Sequence, residues 1–427
     1  MSPGAGNCHL PGGSLHPARA RARLLGPNRE TIMPKVAIIG GGLVGASVAH
    51  RLLALGASVV LIDREHEGQA TAAGAGILPP LDHFVRVEAV LPLLRAARAA
   101  YPALVADLQG EGVLDVGYDV VGALQVATNE EELAALPQVE RECEQRRDEG
   151  FAHVGAVTRL EPTQARSLFP LLGPAVLGAV HCAGSARIDG RRLLAALRAR
   201  VLAVGGELRR GSALVAVRAG RAVGVSLEGE EIGADAVVIA GGAWSSLALA
   251  PLGVELPVRP QRGQLVHLEL AGQPTGKWPV VLGFAHQYLL GFPESRVVVG
   301  ATREDGVGYD YRVTAGGVRS VLDEALRLAP GLRLATLTET RVGFRPVSAD
   351  RRPLLGPLPG HPNVFVATGH AGYGLEVGPH SGALVADLVM QRSPGIDLRP
   401  FEPGRFAEAS PASEASVDHG SSGLPPA

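Results

Sequence analysis

The stretch Lys35 to Glu65, KVAIIGGGLVGASVAHRLLALGASVVLIDRE, decides the fold of this chain. It predicts a strand, a tight turn, a helix and a second strand. Val36 to Ile39 is an apolar run without polar interruption, as in a parallel strand buried on both faces. Gly40, Gly42 and Gly45 follow with the spacing GxGxxG. The first glycine of such a turn allows a sharp reversal, the second lets backbone approach a pyrophosphate, and the third lets the helix pack on the strand. The helix, from about Leu43 to Leu55, stops at Gly56, and its N-terminal N–H groups and dipole favour a phosphate. Ser58 to Ile62 is a second apolar strand that delivers Asp63, 18 residues after Gly45, where a carboxylate binds ribose hydroxyls. A carboxylate there repels a 2′-phosphate, which argues against NADP. GxGxxG alone also occurs in glycine-rich turns of ordinary α/β domains; here both strands, the helix and the acid accompany it, which points to dinucleotide binding.

Outward from that unit, 427 residues that are 46% hydrophobic are enough for a large core and for two domains. A net charge of −2 offers no general attraction to nucleic acid or an anionic membrane. Cys8, Cys143 and Cys182 lack metal-ligand spacing and are too few for a disulfide framework, so the expectation is no metal site and a reducing, cytoplasmic setting. No apolar run reaches the ~20 residues that a spanning helix needs. Residues 1–33 are rich in Gly, Pro and Arg and lack the apolar core of a secretory signal. They are expected to be a disordered extension; Arg19, Arg21, Arg23 and Arg29 also fit a transit peptide, and Met33 is an alternative start. Residues 401–427, with many Ser, Pro, Gly and Ala, are expected to form a disordered tail.

Between these ends, the small residues of Gln69 to Pro80 mark a close approach of backbone or a flat ligand. Leu81 to Leu108 is expected to be helical with interruptions near Pro92 and Pro102, and Asn129 to cap a helix over Glu130 to Arg147. Ile188-Asp189-Gly190 opens a helix to Val204, a hairpin joins Ser212–Arg218 to Ala222–Leu227, and Ala234 to Ala240 is a third buried strand running into Gly241 and Trp244. From Pro257 the pattern is antiparallel: Gln264 to Leu270, His286 to Leu290 and Arg296 to Gly300, as the floor of a substrate pocket. A helix spans Thr314 to Leu328. Val364 to Ala367 is a further strand, ending in GHAGYG at Gly369 to Gly374 before a helix from about Gly378 to Met390.

With these segments in view, the chain resembles the FAD-dependent amine oxidases that include glycine oxidase and D-amino-acid oxidase or dehydrogenase. The segments GGGLVGAS with Asp63, TAAGAGIL, IDGRRLLAAL, VVIAGGAWS, QRGQ, GATRED, GFRPVSADRRPLLGP and ATGHAGYGLEVGP occur in family order from about Pro34 to Arg392. The resemblance implies an α/β fold: a Rossmann-like three-layer FAD-binding domain from residues 34–88, 155–247 and 338–400, and an α+β substrate domain with an antiparallel sheet from 89–154 and 248–337. It assigns FAD to Gly40, Gly42, Leu43, Val44 and Gly45, to Asp63 and Arg64, and to Thr71, Ala72, Ala73, Gly76 and Ile77. Gly241 and Trp244 follow at the third strand, and Gly372, Tyr373, Gly374 and Leu375 at the second glycine-rich turn, whose amides face the flavin.

In the same resemblance Arg345 binds the substrate carboxylate and Tyr288 helps to orient it. A guanidinium offers paired donors that match a carboxylate, each charged hydrogen bond worth ~1.5–3 kcal/mol. Gly372 stands where some members carry a second arginine, so a pocket with one arginine is expected; His370 is expected to be structural. Arg341 stands where many glycine oxidases carry an aromatic residue, and Gly291-Phe292-Pro293 replaces the usual proline-arginine. No cysteine lies between Arg345 and Asp350, so FAD is expected to be non-covalent. The implied function is oxidation of the Cα–N bond of glycine or a small D-amino acid by hydride transfer to flavin, giving an imine and then an α-keto acid and ammonia. Oxygen or a quinone would accept the electrons, and a homo-oligomer is compatible. The alternatives are a 2-hydroxy acid dehydrogenase, which needs a base to take the alcohol proton, and a flavin-binding sensor without turnover.

Overall fold

Successive residues of the first strand face different layers. Lys35–Ile39 pairs in parallel with Ser58–Asp63 on one side and Ala236–Ile239 on the other. Glu207–Arg210 and His361–Thr368 extend this sheet in parallel, and Leu354–Leu358 forms an antiparallel edge. Val36 and Ile38 pack with residues of helices Leu43–Ala54, Leu91–Gly110, Gly190–Ala203 and Gly374–Val389. Ala37 and Ile39 face the antiparallel meander Ala213–Arg218, Arg221–Leu227 and Glu230–Gly233. Helices, parallel sheet and meander are the three layers, and they explain why Val36 to Ile39 is apolar on both faces. The computed structural model describes residues 33–79, 87–110, 115–285 and 287–406. The expectations for the N-terminal extension, for the start of the helix after Leu81, for His286 and for residues 407–427 lie outside them.

A second sheet has eight strands in the order Thr336–Ser348, Val258–Glu269, Arg296–Gly300, Tyr288–Phe292, Val280–Leu282, Ala123–Ala127, Gly178–Cys182 and Val157–Leu160. All neighbours are antiparallel except Val280–Leu282 with Ala123–Ala127. Leu289, Val297 and Val299 pack on Val321, Ala325 and Leu328 of helix Ala315–Leu328. Tyr288, Leu290 and Val298 belong to the opposite face. Strand periodicity thus fixes which residues can reach a ligand. The whole is α/β, Rossmann-like in its first sheet, with an α+β portion built on the antiparallel sheet.

Several boundaries differ from expectation. Strands Val157–Leu160, Gly178–Cys182 and Thr336–Ser348 join the eight-stranded sheet, although most of their residues were placed in the FAD-binding segments. Helix Leu91–Gly110 packs mostly in the first core, with only Leu91 also against the cluster that holds Ala127 and Cys182 of the eight-stranded sheet, and it runs unbroken through Pro102. Pro92 stands in its first turn, where the missing N–H is harmless. Its extent with the preceding turn, Glu88–Gly110, is long and apolar enough to cross a membrane by composition. Leu93, Leu94, Ala97, Tyr101, Val105 and Leu108 are nonetheless buried inside the core. The last helix begins at Gly374, four residues before the expected start. Residues 401–406, assigned to the tail, are packed: Phe401 is buried, and Arg405 pairs with Asp350 at 2.8 Å.

Candidate active site

One cavity joins the two sheets, and the first glycine-rich turn lines its start. Gly40 has φ +107°, and a Cβ there would stand 2.4 Å from the Ala240 carbonyl oxygen. A Cβ on Gly45 would meet the Gly40 carbonyl at 1.9 Å, so that glycine serves helix–strand packing and does not line the cavity. On Gly42 a Cβ would touch only Thr71 Oγ1, at 3.5 Å, leaving open space over the helix start. Helix Leu43–Ala54 has no side-chain cap from Gly42 and no acid in its first turn, and only Leu43 N–H donates to a side chain there, Thr71 Oγ1 at 3.1 Å. Together with Val44, which also lines the cavity, this is a helix N-terminus open to an anion.

Asp63 and Arg64 line the next part. Asp63 Oδ1 accepts from Glu65 N–H at 3.1 Å and from Gln69 Nε2 at 3.0 Å, while Arg198 donates to Oδ2 and to the Gly41 carbonyl. The carboxylate is thus fixed in position. Thr71, Ala73, Gly76 and Ile77 line the cavity, but Ala72 does not. Its carbonyl accepts from Arg191 Nε at 3.0 Å and Arg341 Nη1 at 3.4 Å. Arg341, paired with Glu339 at 2.9 Å, also lies outside the lining. Gly241 and Trp244 line the cavity, and Trp244 stacks on His66 with centroids 4.4 Å apart and on Tyr309 at 5.2 Å. Burial, then the charge of Arg64, lowers the pKa of His66.

At the second glycine-rich turn, Gly372, Gly374 and Leu375 line the cavity. A Cβ on Gly372 would have only Arg345 Cδ near it, at 4.0 Å. Tyr373 turns away: its hydroxyl donates to the Arg351 carbonyl at 2.5 Å, and its ring is buried. His370 does line the cavity; it is 2% exposed, and burial lowers its pKa to about 4. Among the described residues its Nε2 has no hydrogen-bond partner.

The far end is built on the eight-stranded sheet. Arg345 Nη1 donates to the carbonyls of Thr302, at 3.1 Å, and Arg262, at 3.5 Å. It forms no ion pair among the described residues, and burial lowers its pKa. On the pairing strand, Arg345 lies opposite Gln261, and two residues further on Gly263, opposite Gly343, leaves the space that the guanidinium fills: a Cβ there would lie 2.5 Å from Nη1. Tyr288 crosses Gly300, with which it pairs, and a Cβ there would meet its hydroxyl at 2.7 Å. Burial pushes the Tyr288 pKa up to about 12 against the opposing charges of Arg345 and Arg303. Arg303 also lines this end, together with Leu265 and Ala301, so a second arginine stands in the cavity beside Arg345. Other lining residues without a prior assignment are His66, Gln69, Phe344 and residues 211–214 of the meander. GATRED held a signal for Arg303, since a strand ending in small residues delivers its next side chain at the sheet edge; residues 211–214 held none.

The sequence from 35 to 388 matches the family model described as FAD dependent oxidoreductase, DAO. The chain is 37% identical to the uncharacterized oxidoreductase YurR of Bacillus subtilis (strain 168), over 87% of this chain and 99% of that one. It is 31% identical to glycine oxidase of Pseudomonas putida KT2440, over 86% and 98%. Among solved structures, iminodiacetate oxidase from Chelativorans sp. BNC1 superposes with TM-score 0.82 at 41% identity, over 86% of this chain and 98% of that one. An open helix N-terminus, a fixed carboxylate after the second strand and a family match over most of the chain agree: this chain is an FAD-dependent enzyme and belongs to the DAO family of FAD dependent oxidoreductases.

Proposed function

We propose that this enzyme oxidises the Cα–N bond of glycine, an N-substituted glycine or a small D-amino acid. The observation that carries the proposal is Arg345: a guanidinium in the cavity, without an acidic partner among the described residues, beside the Tyr288 hydroxyl. Two parallel donors on one side of a carboxylate orient the substrate as well as bind it. Tyr288, held protonated by its high pKa, donates to the same group.

The Gly42 turn and helix Leu43–Ala54 would hold the pyrophosphate of FAD, Asp63 a ribose, and the turn Gly372 to Leu375 the flavin end. FAD bound there supplies the two-electron acceptor for the hydride that leaves Cα. Apolar Leu265, Ile77 and Phe344 limit water around the reacting carbon. Oxidation of an amine bound with its nitrogen deprotonated requires no side-chain base. A 2-hydroxy acid would require one, and His370, whose pKa is lowered to about 4, is a weak base at neutral pH.

The test is anaerobic bleaching of the yellow holoenzyme by glycine, sarcosine, iminodiacetate, D-alanine and 2-hydroxyglutarate, added singly. An amine should bleach it and the hydroxy acid should not. Re-admitted air, against an added quinone, identifies the acceptor. Arg345→Ala should stay yellow and raise the half-saturating amine concentration about 100-fold, from two lost charged hydrogen bonds. An unchanged value would remove Arg345 from the site, and bleaching by the hydroxy acid alone would replace the amine by an alcohol.

A further inference from the structure

The cavity wall at the second glycine-rich turn holds a carboxylate to which the chemistry described above gives no part. Glu376 lines the cavity, is 4% exposed, and stands in the first turn of helix Gly374–Val389. A helix N-terminus carries about half an elementary positive charge, and a carboxylate in its first turn outweighs that. By itself, then, Glu376 would present net negative charge beside the turn proposed to hold the flavin end. It is answered from another element. Arg98 of helix Leu91–Gly110 brings Nε to 3.8 Å from Glu376 Oε1, with the two side chains 2% and 5% exposed. One turn further along the same helix, Tyr101 donates its hydroxyl to the Leu375 carbonyl at 2.5 Å, so this helix engages two successive residues at the start of the last one.

Two of the guanidinium nitrogens of Arg98, Nε and Nη1, have no hydrogen-bond partner among the described residues, although the side chain is buried. Burying a cation with donors left over is costly, and what offsets it here is the opposite charge of Glu376. The titratable neighbours of Arg98 stay neutral near pH 7: burial, then the charge of Arg98, lowers the His153 pKa to about 3, and burial raises that of Tyr101. We infer that Arg98 is a positioning residue that acts through Glu376. By pairing with that carboxylate it keeps the wall beside the flavin neutral, so that the helix N-terminus is left to stabilise the negative charge the ring takes up on reduction. This rests on the placement of the flavin end at Gly372 to Leu375 proposed above, and is independent of which amine is oxidised.

The test is sulfite, whose sulfur adds to flavin N5 and leaves the ring negatively charged, titrated at pH 7 into the yellow holoenzyme and its variants and followed by the loss of visible absorbance. Arg98→Met leaves Glu376 without its cation and should weaken sulfite binding about tenfold or more, and Arg98→Lys should recover part of that. Glu376→Gln should act in the opposite direction and tighten binding, because Arg98 is then unopposed. Removing both charges, in Arg98→Met with Glu376→Gln, should return the affinity to within about threefold of the unaltered enzyme. The two-electron midpoint potential, read against a reference dye, should follow the same order, each tenfold being about 30 mV. A role in packing alone would move both single variants the same way, so variants that move together, or not at all, overturn the inference. Should Arg98→Met fail to fold, the sign of the Glu376→Gln shift decides. An enzyme that no amine bleaches, but whose sulfite affinity splits in this way, loses the amine chemistry and keeps Arg98 in its role.

Discussion

Arg345 ends where it does because Gly263 has no side chain. The two residues lie on the paired strands Val258–Glu269 and Thr336–Ser348, and a methyl group on residue 263 would sit 2.5 Å from Nη1. Gly263→Ala should therefore displace the guanidinium without touching the cofactor turn: KM for a carboxylate amine should rise about tenfold, the order of one charged hydrogen bond, with the visible spectrum retained. A KM unaffected by the methyl group would show that the cavity absorbs it. Arg345 was legible in the sequence because GFRP is a local motif. Arg303 was printed just as plainly in GATRED, but only the pairing of Leu265 and Tyr288 with Gly300 brings it to the same cavity. Ala72 and Tyr373 show the opposite error: both lie inside recognised motifs, and their side chains or carbonyls serve neighbouring loops instead.

At the scale of elements, the last helix contains its own interruption and a remedy for it. Pro379 has no N–H to offer the Leu375 carbonyl four residues earlier, and Tyr101 on helix Leu91–Gly110 donates its hydroxyl to that carbonyl at 2.5 Å. Burial raises the pKa of this tyrosine, so the donor keeps its proton. Tyr101→Phe should destabilise the protein by about 1–3 kcal/mol in chemical denaturation, through a buried carbonyl left without its donor. Adding Pro379→Ala should recover part of the loss, because a new N–H reaches the same oxygen; additive losses would refute the pairing. The proline and Gly378 are also why the helix start was placed too late: both are stop signals to local reading, and a tyrosine from a distant helix overrides them. Where capping is purely local it was legible. Asn129 accepts from Glu132 N–H at 2.8 Å, and Asn129→Ala should cost about 1 kcal/mol with turnover unaffected.

Across the whole molecule, the layered sheet was readable from the first 30 residues of the fold, since the apolar run Val36 to Ile39 needs cover on both faces. The eight-stranded sheet was readable only in part, because Val157–Leu160 and Gly178–Cys182 join it through pairings distant in sequence. Stability should depend on pH through histidines buried in both portions. His267 and His370 are each 2% exposed, and burial lowers their pKa values to about 3 and about 4, from 6.5. Their Nε2 atoms have no partner among the described residues. The unfolded chain therefore binds protons that the folded chain refuses: this contribution is complete above pH 6.5, falls as pH drops toward 4 and 3, and levels off below. Each group removes up to about 1.4 kcal/mol per pH unit in that window. Denaturation midpoints between pH 7 and 4 should show it, with a shallower slope in His267→Leu; identical slopes would place the acid sensitivity elsewhere. The order of parts along the chain carries one more consequence. Gly40 and Leu375 line the same cavity from segments more than 300 residues apart in the chain, so a ribosome makes the phosphate turn early and Arg345 late. A nascent chain halted at Ala329 has Asp63, Tyr288 and Arg303 but neither Arg345 nor the last turn. On the role proposed for Arg345, such unfinished copies should show no amine turnover, because the strand that carries the guanidinium and the turn at Gly372 are still to be made.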